Sequence, residues 1–317
     1  MLFCPYPIIA GPTASGKTAL AVRLASIIGG EVVSADSMQI YDGVSIGTAR
    51  PSTEEMQGVP HHLIGFLPSQ ERYSVARYLE DAHRVFADIY SRKITPVMCG
   101  GTGLYIQSFI ENRQLFDETP DPLLRHRYTE MAEQQGVGVL LEKLRCVDPD
   151  TADRLHRNDI HRIIHALEVF ETTGRTITEQ TALSLSRPSL YTPCLFVLDF
   201  HDRNRLYERI NHRVDVMLES GLLEEAQRIL QTDPEATVTQ AIGYKEFLGY
   251  FNGEISLEEA ADRLRQQTRR YAKRQLSWFR RMADAHTLWV DEFDNPDDLL
   301  HHALTTYYEQ TERRATL

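Results

Sequence analysis

Residues 6–18 of the chain are YPIIAGPTASGKT, a short apolar run directly before a glycine-rich loop that ends in lysine and threonine. The apolar run predicts a buried strand, and residues 17–28, followed by Gly29 and Gly30, predict the helix that leaves the loop. The loop fits the pattern G-x-x-x-x-G-K-[ST], in which backbone N–H groups and a helix N-terminus bind phosphate oxygens. This strand–loop–helix context predicts a P-loop for a diphosphate- or triphosphate-bearing small molecule.

The loop supplies the first candidate site residues. Its glycines let the backbone approach phosphate oxygens, Lys17 adds a positive charge, and Thr18 offers a hydroxyl to Mg²⁺. The predicted phosphate-binding residues are Gly11, Pro12, Thr13, Ala14, Ser15, Gly16, Lys17 and Thr18.

Beyond the loop, predicted strands and helices alternate along the chain. Strands are predicted at 31–36, 95–101 and 192–200, with a further candidate at 61–66, and helices at 74–92, after residue 103 and after Asp202. This alternation predicts an α/β fold, a P-loop NTPase-like parallel sheet flanked by helices.

Between residues 115 and 187 only helical signals occur. Helix starts are predicted near Pro122, Asp148 and Asn158, and Gly174 is expected to end the last long helix. We therefore expect a discontinuous core, residues 1–114 and 191–317, with an inserted all-helical lobe at residues 115–190.

The charge is distributed unevenly. The whole chain carries a formal net charge of −11, which would repel a polyanion unless basic residues are clustered. Residues 263–281 form such a cluster, because they hold arginines and lysine but no acid. If this segment is a helix, one side of it is suited to packing and the other is cationic. The cationic side favours nucleic acid as a partner, and the alternative is that this side is merely solvated.

Other features limit the class of protein. The apolar start is too short for a signal peptide, and no stretch approaches a membrane span, so we expect a cytoplasmic protein with no membrane partner. The four cysteines, Cys4, Cys99, Cys146 and Cys194, lack metal-ligand spacing and are expected to be buried, reduced thiols.

Three further features carry candidate chemistry. Asp36 ends a predicted strand, where it could act as a base, a metal ligand or a helix cap. Thr102, in GGTGLY at 100–105, either binds an anion or belongs to a plain tight turn. Arg209 and Arg213 share a helix face and either bind a second phosphate or are solvated. The strand at 95–101 ends in glycine rather than in a metal-holding acid, which weakens the ATPase and GTPase interpretations.

Taken in order, these motifs make the chain resemble the tRNA dimethylallyltransferase (tRNA isopentenyltransferase) family in its bacterial form. The resemblance rests on GPTASGKT (11–18), ADSMQIYDGVSIGTARP (35–51), GGTGLY (100–105), NDIHRIIHALEVF (158–170), RINHRVDVML (209–218), QAIGYKEF (240–247) and AKRQLSWFR (272–280). It implies transfer of a dimethylallyl group from dimethylallyl diphosphate to N6 of the adenosine 3′-adjacent to the anticodon, in tRNAs that read codons starting with U.

The resemblance also implies roles for individual residues. Asp36 would be the catalytic carboxylate, Lys17, Thr102 and Arg213 would bind the diphosphate, and Thr18 would hold Mg²⁺. The implied partner is a tRNA anticodon stem-loop, whose target base must be flipped out of its stack. We expect the protein to act as a monomer. The implied RNA-contacting residues are Asp36, Ser37, Met38, Gln39, Arg125, His161, Arg162, Ile163, Ile164, His165, Gln240, Ala241, Ile242, Gly243, Tyr244 and Lys245.

Three other functions remain open from the residues alone. They are an adenylate (cytokinin-type) isopentenyltransferase, a P-loop small-molecule kinase, and a non-catalytic, nucleotide-gated RNA-binding protein. The helical lobe and the basic segment favour an RNA acceptor over a mononucleotide.

Overall fold

The computed structural model describes residues 5–115, 121–185, 188–232 and 237–315. Within these residues, six strands pair in parallel to form one sheet. In chain order they are β1 (Pro5–Ala10), β2 (Glu31–Ser34), β3 (His61–His62), β4 (Pro96–Gly100), β5 (Thr192–Asp199) and β6 (His286–Trp289). Their order across the sheet is β3-β2-β4-β1-β5-β6, so the strand before the glycine-rich loop is central.

The helices follow the predicted alternation. In chain order they are α1 (Lys17–Ile28), α2 (Thr53–Met56), α3 (Val75–Ser91), α4 (Gly103–Ile110), α5 (Pro122–Gln135), α6 (Val137–Val147), α7 (Pro149–Arg154), α8 (Ile160–Thr173), α9 (Ile177–Ser184), α10 (Arg203–Glu219), α11 (Leu222–Thr232), α12 (Leu248–Phe251), α13 (Leu257–Phe279) and α14 (Pro296–Ala315). The predicted α/β fold with a parallel sheet is thereby confirmed.

Both faces of the central strand are covered, as its continuous apolar sequence requires. Ile9 packs with Leu24 of α1 and Ala303 of α14 in one cluster. Tyr6 points to the opposite face, where its ring centroid lies 5.0 Å from that of Phe86 in α3 and 6.0 Å from that of Phe109 in α4. Each fully buried apolar side chain of this kind stabilises the fold by about 1.5–3 kcal/mol relative to leaving it exposed.

The chain divides into two compact units. One comprises residues 1–110 and 190–317 and contains the sheet, and the other comprises residues 111–189 and contains α5–α9. The second unit shares most of its residues with the lobe predicted at 115–190. It has its own apolar core, to which Leu140, Leu144 and Ile163 contribute fully buried side chains.

Local signals placed most element ends correctly. Ser74 and Asp202 cap α3 and α10 with their side chains, at the predicted starts of the two helices. Gly29 and Gly174 end α1 and α8 in the left-handed conformation that glycine adopts without strain.

Two expectations were wrong in part. The strand predicted at 61–66 covers only His61–His62, because Leu63 and Gly65 have φ values of 57° and 58° and turn the chain away from the sheet. Cys99 and Cys194 are buried thiols, but Cys146 is exposed on α6, and Cys4 lies outside the described residues. Of the helices described, none combines the length and the apolar character that a bilayer span demands.

Candidate active site

The glycine-rich loop connects β1 to α1 in the predicted way. Gly11 approaches β5 so closely that a side chain there would lie 3.0 Å from the Leu198 carbonyl oxygen. Gly16, with φ 94°, begins α1, and among the described residues no side chain caps that helix start. The first N–H groups of α1 therefore remain available to an anion, and the helix dipole favours negative charge there.

A large cavity opens beside this loop, within the unit that holds the sheet. Its volume is about 1480 Å³, above the range of about 300–1,000 Å³ that is usual for small-molecule pockets. Residues lining it come from the loop, the segment after β2, α10, the segment at 240–245, and α13. The space is sufficient for more than a diphosphate compound alone.

Asp36 lies on the cavity wall, two residues beyond the end of β2. Its Oδ1 accepts hydrogen bonds from the backbone nitrogens of Met38 at 2.9 Å and Gln39 at 3.4 Å. Within the described part of the chain, Oδ2 has no hydrogen-bond partner. One carboxylate oxygen thus fixes a turn, where the capping alternative predicted the start of a helix, while the other remains available for chemistry.

Lys17 and Arg213 place two positive charges on the same cavity. Burial lowers the pKa of Lys17, and Arg213 adds to this effect, while Cys99 and Asp36 oppose it. Burial also lowers the pKa of Arg213, again against the influence of Asp36. These mutual effects show that the two cations and the carboxylate are close enough to interact electrostatically.

The two arginines predicted to share a face of α10 differ in their contacts. Arg209 donates from Nε to the Ala14 carbonyl oxygen at 2.8 Å and is thereby fixed against the glycine-rich loop. Arg213 has neither a hydrogen bond nor an ion pair with any residue that the structure describes. Its guanidinium is therefore free to bind an anion in the cavity.

The Thr102 turn lies directly behind Asp36. Thr102 donates its backbone N–H to the Ala35 carbonyl oxygen at 3.1 Å, and its hydroxyl accepts from the Ser37 backbone nitrogen at 3.0 Å. The turn is thus attached on both sides of Asp36. A direct contact between Thr102 and a ligand stays a prediction, because Thr102 does not belong to the residues that line the cavity.

Thr18 lines the cavity, and the coordination of a cation by its hydroxyl stays a prediction. In the described residues no group of three or more histidine, cysteine or acidic side chains could enclose a metal ion. Thr18 and Asp36 instead bring a hydroxyl and a carboxylate to one cavity, which suits Mg²⁺, since this ion is usually held by one or two protein oxygens together with phosphate and water.

A second wall of the cavity consists of the segments 45–47 and 240–245, which we call the Glu225 wall. The buried Glu225 carboxylate of α11 accepts from the backbone nitrogens of Ser45 at 2.9 Å, Ile46 at 3.0 Å and Gly47 at 2.8 Å. It also accepts from the Tyr244 hydroxyl at 2.9 Å. Burial alone would raise the pKa of Glu225, but these hydrogen bonds together outweigh it and lower the pKa.

The segment 240–245 was predicted to contact RNA, and the structure separates its members. Gln240, Ile242 and Lys245 line the cavity and are at least partly exposed. Ala241 and Gly243 also line the cavity but are buried, whereas Tyr244 is buried behind the wall and bonded to Glu225.

The residues of α8 divide in the same way. His161, Arg162 and His165 are exposed, whereas the side chains of Ile163 and Ile164 are buried in the core of the helical unit. The two isoleucine side chains therefore pack inside the helical unit, and a contact between this segment and RNA stays a prediction.

Arg125, on α5 of the same unit, was also predicted to contact RNA. It donates to the buried carboxylate of Glu168 at 2.7 Å, and its own side chain is half-exposed.

The basic segment is less cationic than its sequence indicates. Nearby acceptors neutralise or bind five of its arginines. Four are in the pairs Arg263–Glu259, Arg265–Asp215, Arg269–Asn211 and Arg280–Asp199, and Arg281 donates to the Ser277 carbonyl oxygen. Arg270, Lys273 and Arg274 are exposed and, among the residues described, have no hydrogen bond or ion pair. These three remain the candidates for contact with a polyanion.

Sequence reasoning missed Gln275 of α13. This side chain is only 6% exposed, accepts from the Thr13 backbone nitrogen at 2.9 Å, and donates to the Gly101 carbonyl oxygen at 3.0 Å. The sequence offered one signal for this role, because Gln275 places a polar amide on the side of the predicted helix that is otherwise suited to packing.

A strand-end acid also went unnoticed. Asp199 ends β5 next to the central strand, but its oxygens accept from Arg203 at 2.6 Å and from Arg280 at 3.0 Å. Because Asp199 is so paired and does not line the cavity, it is unsuited to hold a catalytic metal.

Comparisons with family models and with known proteins all place this chain in the same family. The model of the IPP transferase family matches residues 39–282, and that of the isopentenyl transferase family matches residues 6–64. The tRNA dimethylallyltransferase of a Thermoanaerobacter species is 44% identical over 295 residues, which cover 92% of this chain and 94% of that protein. The tRNA dimethylallyltransferase of Bacillus cytotoxicus is 45% identical over 288 residues, or 90% of each chain.

Solved structures agree. The full-length tRNA isopentenylpyrophosphate transferase from Bacillus halodurans is 38% identical, with a TM-score of 0.72 and 99% of each chain covered. A eukaryotic dimethylallyltransferase, solved while acting on tRNA, is 29% identical, with a TM-score of 0.74, over 90% of this chain and 74% of that one.

Proposed function

Because the chain belongs to the tRNA dimethylallyltransferase family, we propose that it transfers a dimethylallyl group from dimethylallyl diphosphate to N6 of the adenosine 3′-adjacent to the anticodon. The acceptors are tRNAs that read codons starting with U, and the product is N6-isopentenyladenosine. The observation that carries the proposal is a single cavity lined by the glycine-rich loop, by Arg213 and by Asp36.

The first part of the reaction is release of diphosphate. The bond between C1 of the prenyl chain and the diphosphate oxygen breaks, and the electron pair leaves with the diphosphate. Lys17, Arg213 and the N-terminus of α1 stabilise the negative charge that develops there. Thr18 would hold Mg²⁺, which would neutralise further charge on the diphosphate.

The second part is attack by the adenine. The N6 lone pair forms a bond to C1, and one N6 proton moves to the available Oδ2 of Asp36. Since Oδ1 is occupied by Met38 and Gln39, the carboxylate keeps its orientation while it accepts the proton. The products are the prenylated base, diphosphate and a proton that passes from Asp36 to solvent.

The acceptor base must leave its stack to reach Asp36, at a cost of a few kcal/mol. The large cavity volume supports entry of a flipped base beside the prenyl donor. We propose that Ser37, Met38 and Gln39, together with the Glu225 wall, surround that base, and that the anticodon stem-loop also contacts the helical unit. Exposed side chains on α8 and on α13 are the candidates for those contacts: His161, Arg162, His165, Arg270, Lys273 and Arg274.

In domain terms, we propose a catalytic core formed by residues 1–114 and 191–317 and a tRNA-contacting lobe at 115–190. One chain supplies every residue of this scheme, so the proposed active form is a monomer. With tRNA as the acceptor, we place the reaction in the cytoplasm.

Two alternatives are less well supported. A mononucleotide acceptor would require neither a cavity of this size nor a separate helical unit. A kinase would transfer a phosphoryl group, and an acid at the strand end beside its phosphate loop would hold the metal. The acid at such a strand end in this protein, Asp199, is instead paired with two arginines.

The test is a transfer assay with Mg²⁺, radiolabelled dimethylallyl diphosphate, and either unmodified tRNA or AMP. We expect label on tRNA at the adenosine next to the anticodon and little on AMP. Label on AMP alone, or no label from folded protein that binds pyrophosphate, would reject the assignment.

A further inference from the structure

The inner face of α13 contacts both glycine-rich turns of the cavity region through one side chain. Gln275 Oε1 accepts from the Thr13 N–H of the phosphate loop, and Gln275 Nε2 donates to the Gly101 carbonyl oxygen of the second turn. The two turns follow β1 and β4, which are neighbouring strands of the sheet. Gln275 is thus a direct hydrogen-bonded connection between two loops that approach each other at the same sheet edge.

The contact is close. A side chain at Gly101 would collide with Gln275 Nε2, and one at Gly103 would collide with Trp278, one helical turn further along α13. The amide group is suited to this position because it offers one acceptor and one donor, and Thr13 N–H and Gly101 C=O require one of each. A carboxylate could satisfy only the Thr13 side.

The second turn connects Gln275 to the backbone around Asp36. Gly101 is followed by Thr102, whose N–H bonds to Ala35 and whose hydroxyl bonds to the Ser37 N–H. These two residues flank Asp36. A chain of hydrogen bonds therefore runs from the phosphate loop, through Gln275 and the Thr102 turn, to the backbone on both sides of the carboxylate.

We infer that Gln275 is a positioning residue that fixes the separation between the diphosphate in the phosphate loop and the carboxylate of Asp36. The inference rests on the proposed function. Bond formation at C1 requires the leaving oxygen, C1 and N6 to be aligned. The phosphate loop and Asp36, which are the two ends of the hydrogen-bonded series, must therefore keep a fixed separation. Gln275 lines the cavity, but its two polar atoms are used by Thr13 and Gly101, so in this scheme it acts through those two residues.

The first experiment replaces the amide by a hydrocarbon of similar size. In Gln275→Leu we expect kcat to fall by about 10- to 100-fold, since small misplacements of reacting groups cost rates of this order. The KM for tRNA should stay within about threefold, because the RNA-facing side chains are unchanged. Magnesium pyrophosphate, measured by calorimetry, should bind about fivefold more weakly once Thr13 has lost its partner. The matched control is Gln266→Leu, an exposed glutamine on the same helix, which should behave like the unchanged protein.

The second experiment uses Gln275→Glu. When ionised, its carboxylate accepts from Thr13 but repels the Gly101 carbonyl oxygen, and when protonated it regains the donor. Burial beside that carbonyl raises the pKa of a carboxyl group, so the kcat of Gln275→Glu relative to unchanged protein should rise as the pH falls from about 8 to about 5.5. A residue that merely supports the fold would give a ratio independent of pH.

These outcomes separate the inference from the proposed function. If the unchanged protein fails to prenylate tRNA, the proposed function is lost, while the pyrophosphate affinities of Gln275→Leu and Gln266→Leu still decide whether Gln275 organises the phosphate loop. Equal pyrophosphate affinity and equal kcat in the two variants would overturn the inference. If Gln275→Leu does not fold, a flat pH ratio for Gln275→Glu overturns it instead.

Discussion

Ser37 donates its backbone N–H to the Thr102 hydroxyl at 3.0 Å, a bond that joins the residue after Asp36 to the second glycine-rich turn. The two residues are 65 positions apart in sequence, and the ends of β2 and β4 bring them together. The carboxylate is therefore held by tertiary structure as well as by its own turn. A substitution that changes the protonation chemistry of Asp36 can therefore be tested without moving the side chain from its place.

Asp36→Asn retains the Oδ1 acceptor for Met38 and Gln39 but removes the proton acceptor. We expect kcat to fall by about 10²- to 10⁴-fold, the usual contribution of a general base, with an unchanged unfolding temperature. The control is Asp202→Asn at the start of α10, where asparagine caps a helix as well as aspartate. Equal activity of the two variants in the tRNA assay would exclude Asp36 as the base.

Arg213→Ala removes the cavity cation that has no protein partner among the described residues. We expect magnesium pyrophosphate to bind about 10- to 100-fold more weakly, since a hydrogen bond to a charged group is lost. Arg205→Ala, at an exposed position of the same helix, serves as control and should bind normally. Comparable losses in both variants would indicate a general charge effect and reject a direct contact by Arg213.

Thr18→Ala should raise the Mg²⁺ concentration that gives half-maximal transfer, because the protein would lose an oxygen ligand of the metal. Thr18→Ser keeps the hydroxyl and should restore the original requirement. Complete removal of divalent metal by chelation should abolish transfer by all three proteins. A Thr18→Ala variant with an unaltered Mg²⁺ titration would contradict the assignment.

Glu31 provides a pH-dependent contribution to stability away from the cavity. Two hydrogen bonds from Arg92, at 2.5 and 2.8 Å, lower the pKa of Glu31 to about 2, with a further contribution from His62 and against an opposing effect of burial. Because the folded-state pKa is depressed below the usual 4.5, this stabilisation is present above pH 4.5 and is lost as the pH falls towards 2.

In Glu31→Gln we expect the free energy of unfolding at pH 7 to decrease by about 2 kcal/mol. The difference from the unchanged protein should shrink as the pH falls towards 2, as measured by urea unfolding across that range. Activity at pH 7 should be retained, since Glu31 begins β2 and the cavity lies beyond the other end of that strand. Glu80→Gln, at an exposed position on α3, should show neither effect.

The fold was largely predictable because its signals are local. The apolar run before GPTASGKT, the caps at Ser74 and Asp202, and the glycine at 174 each determine structure through neighbouring residues. The failure at 61–66 has a local cause as well, but a left-handed Leu63 has no sequence signal. For that reason strand ends were less predictable than helix ends.

The candidate site was predictable only in part. Lys17, Asp36 and Arg213 belong to recognisable motifs, and the structure places them on one cavity. Gln275 and Glu225 were missed because their backbone partners are 174 to 262 residues away in sequence. A buried polar residue has no local pattern, and only its tertiary hydrogen bonds reveal its role.

The Glu225 wall has a consequence for any attempt to redesign the protein. One carboxylate holds residues 45–47 and, through Tyr244, residues 240–245, so neither segment has an independent position. Substitutions in the two segments should therefore be non-additive, and a change that is harmful in one is expected to be rescued by a change in the other. Libraries that vary both segments together should yield altered acceptors that libraries confined to one segment miss.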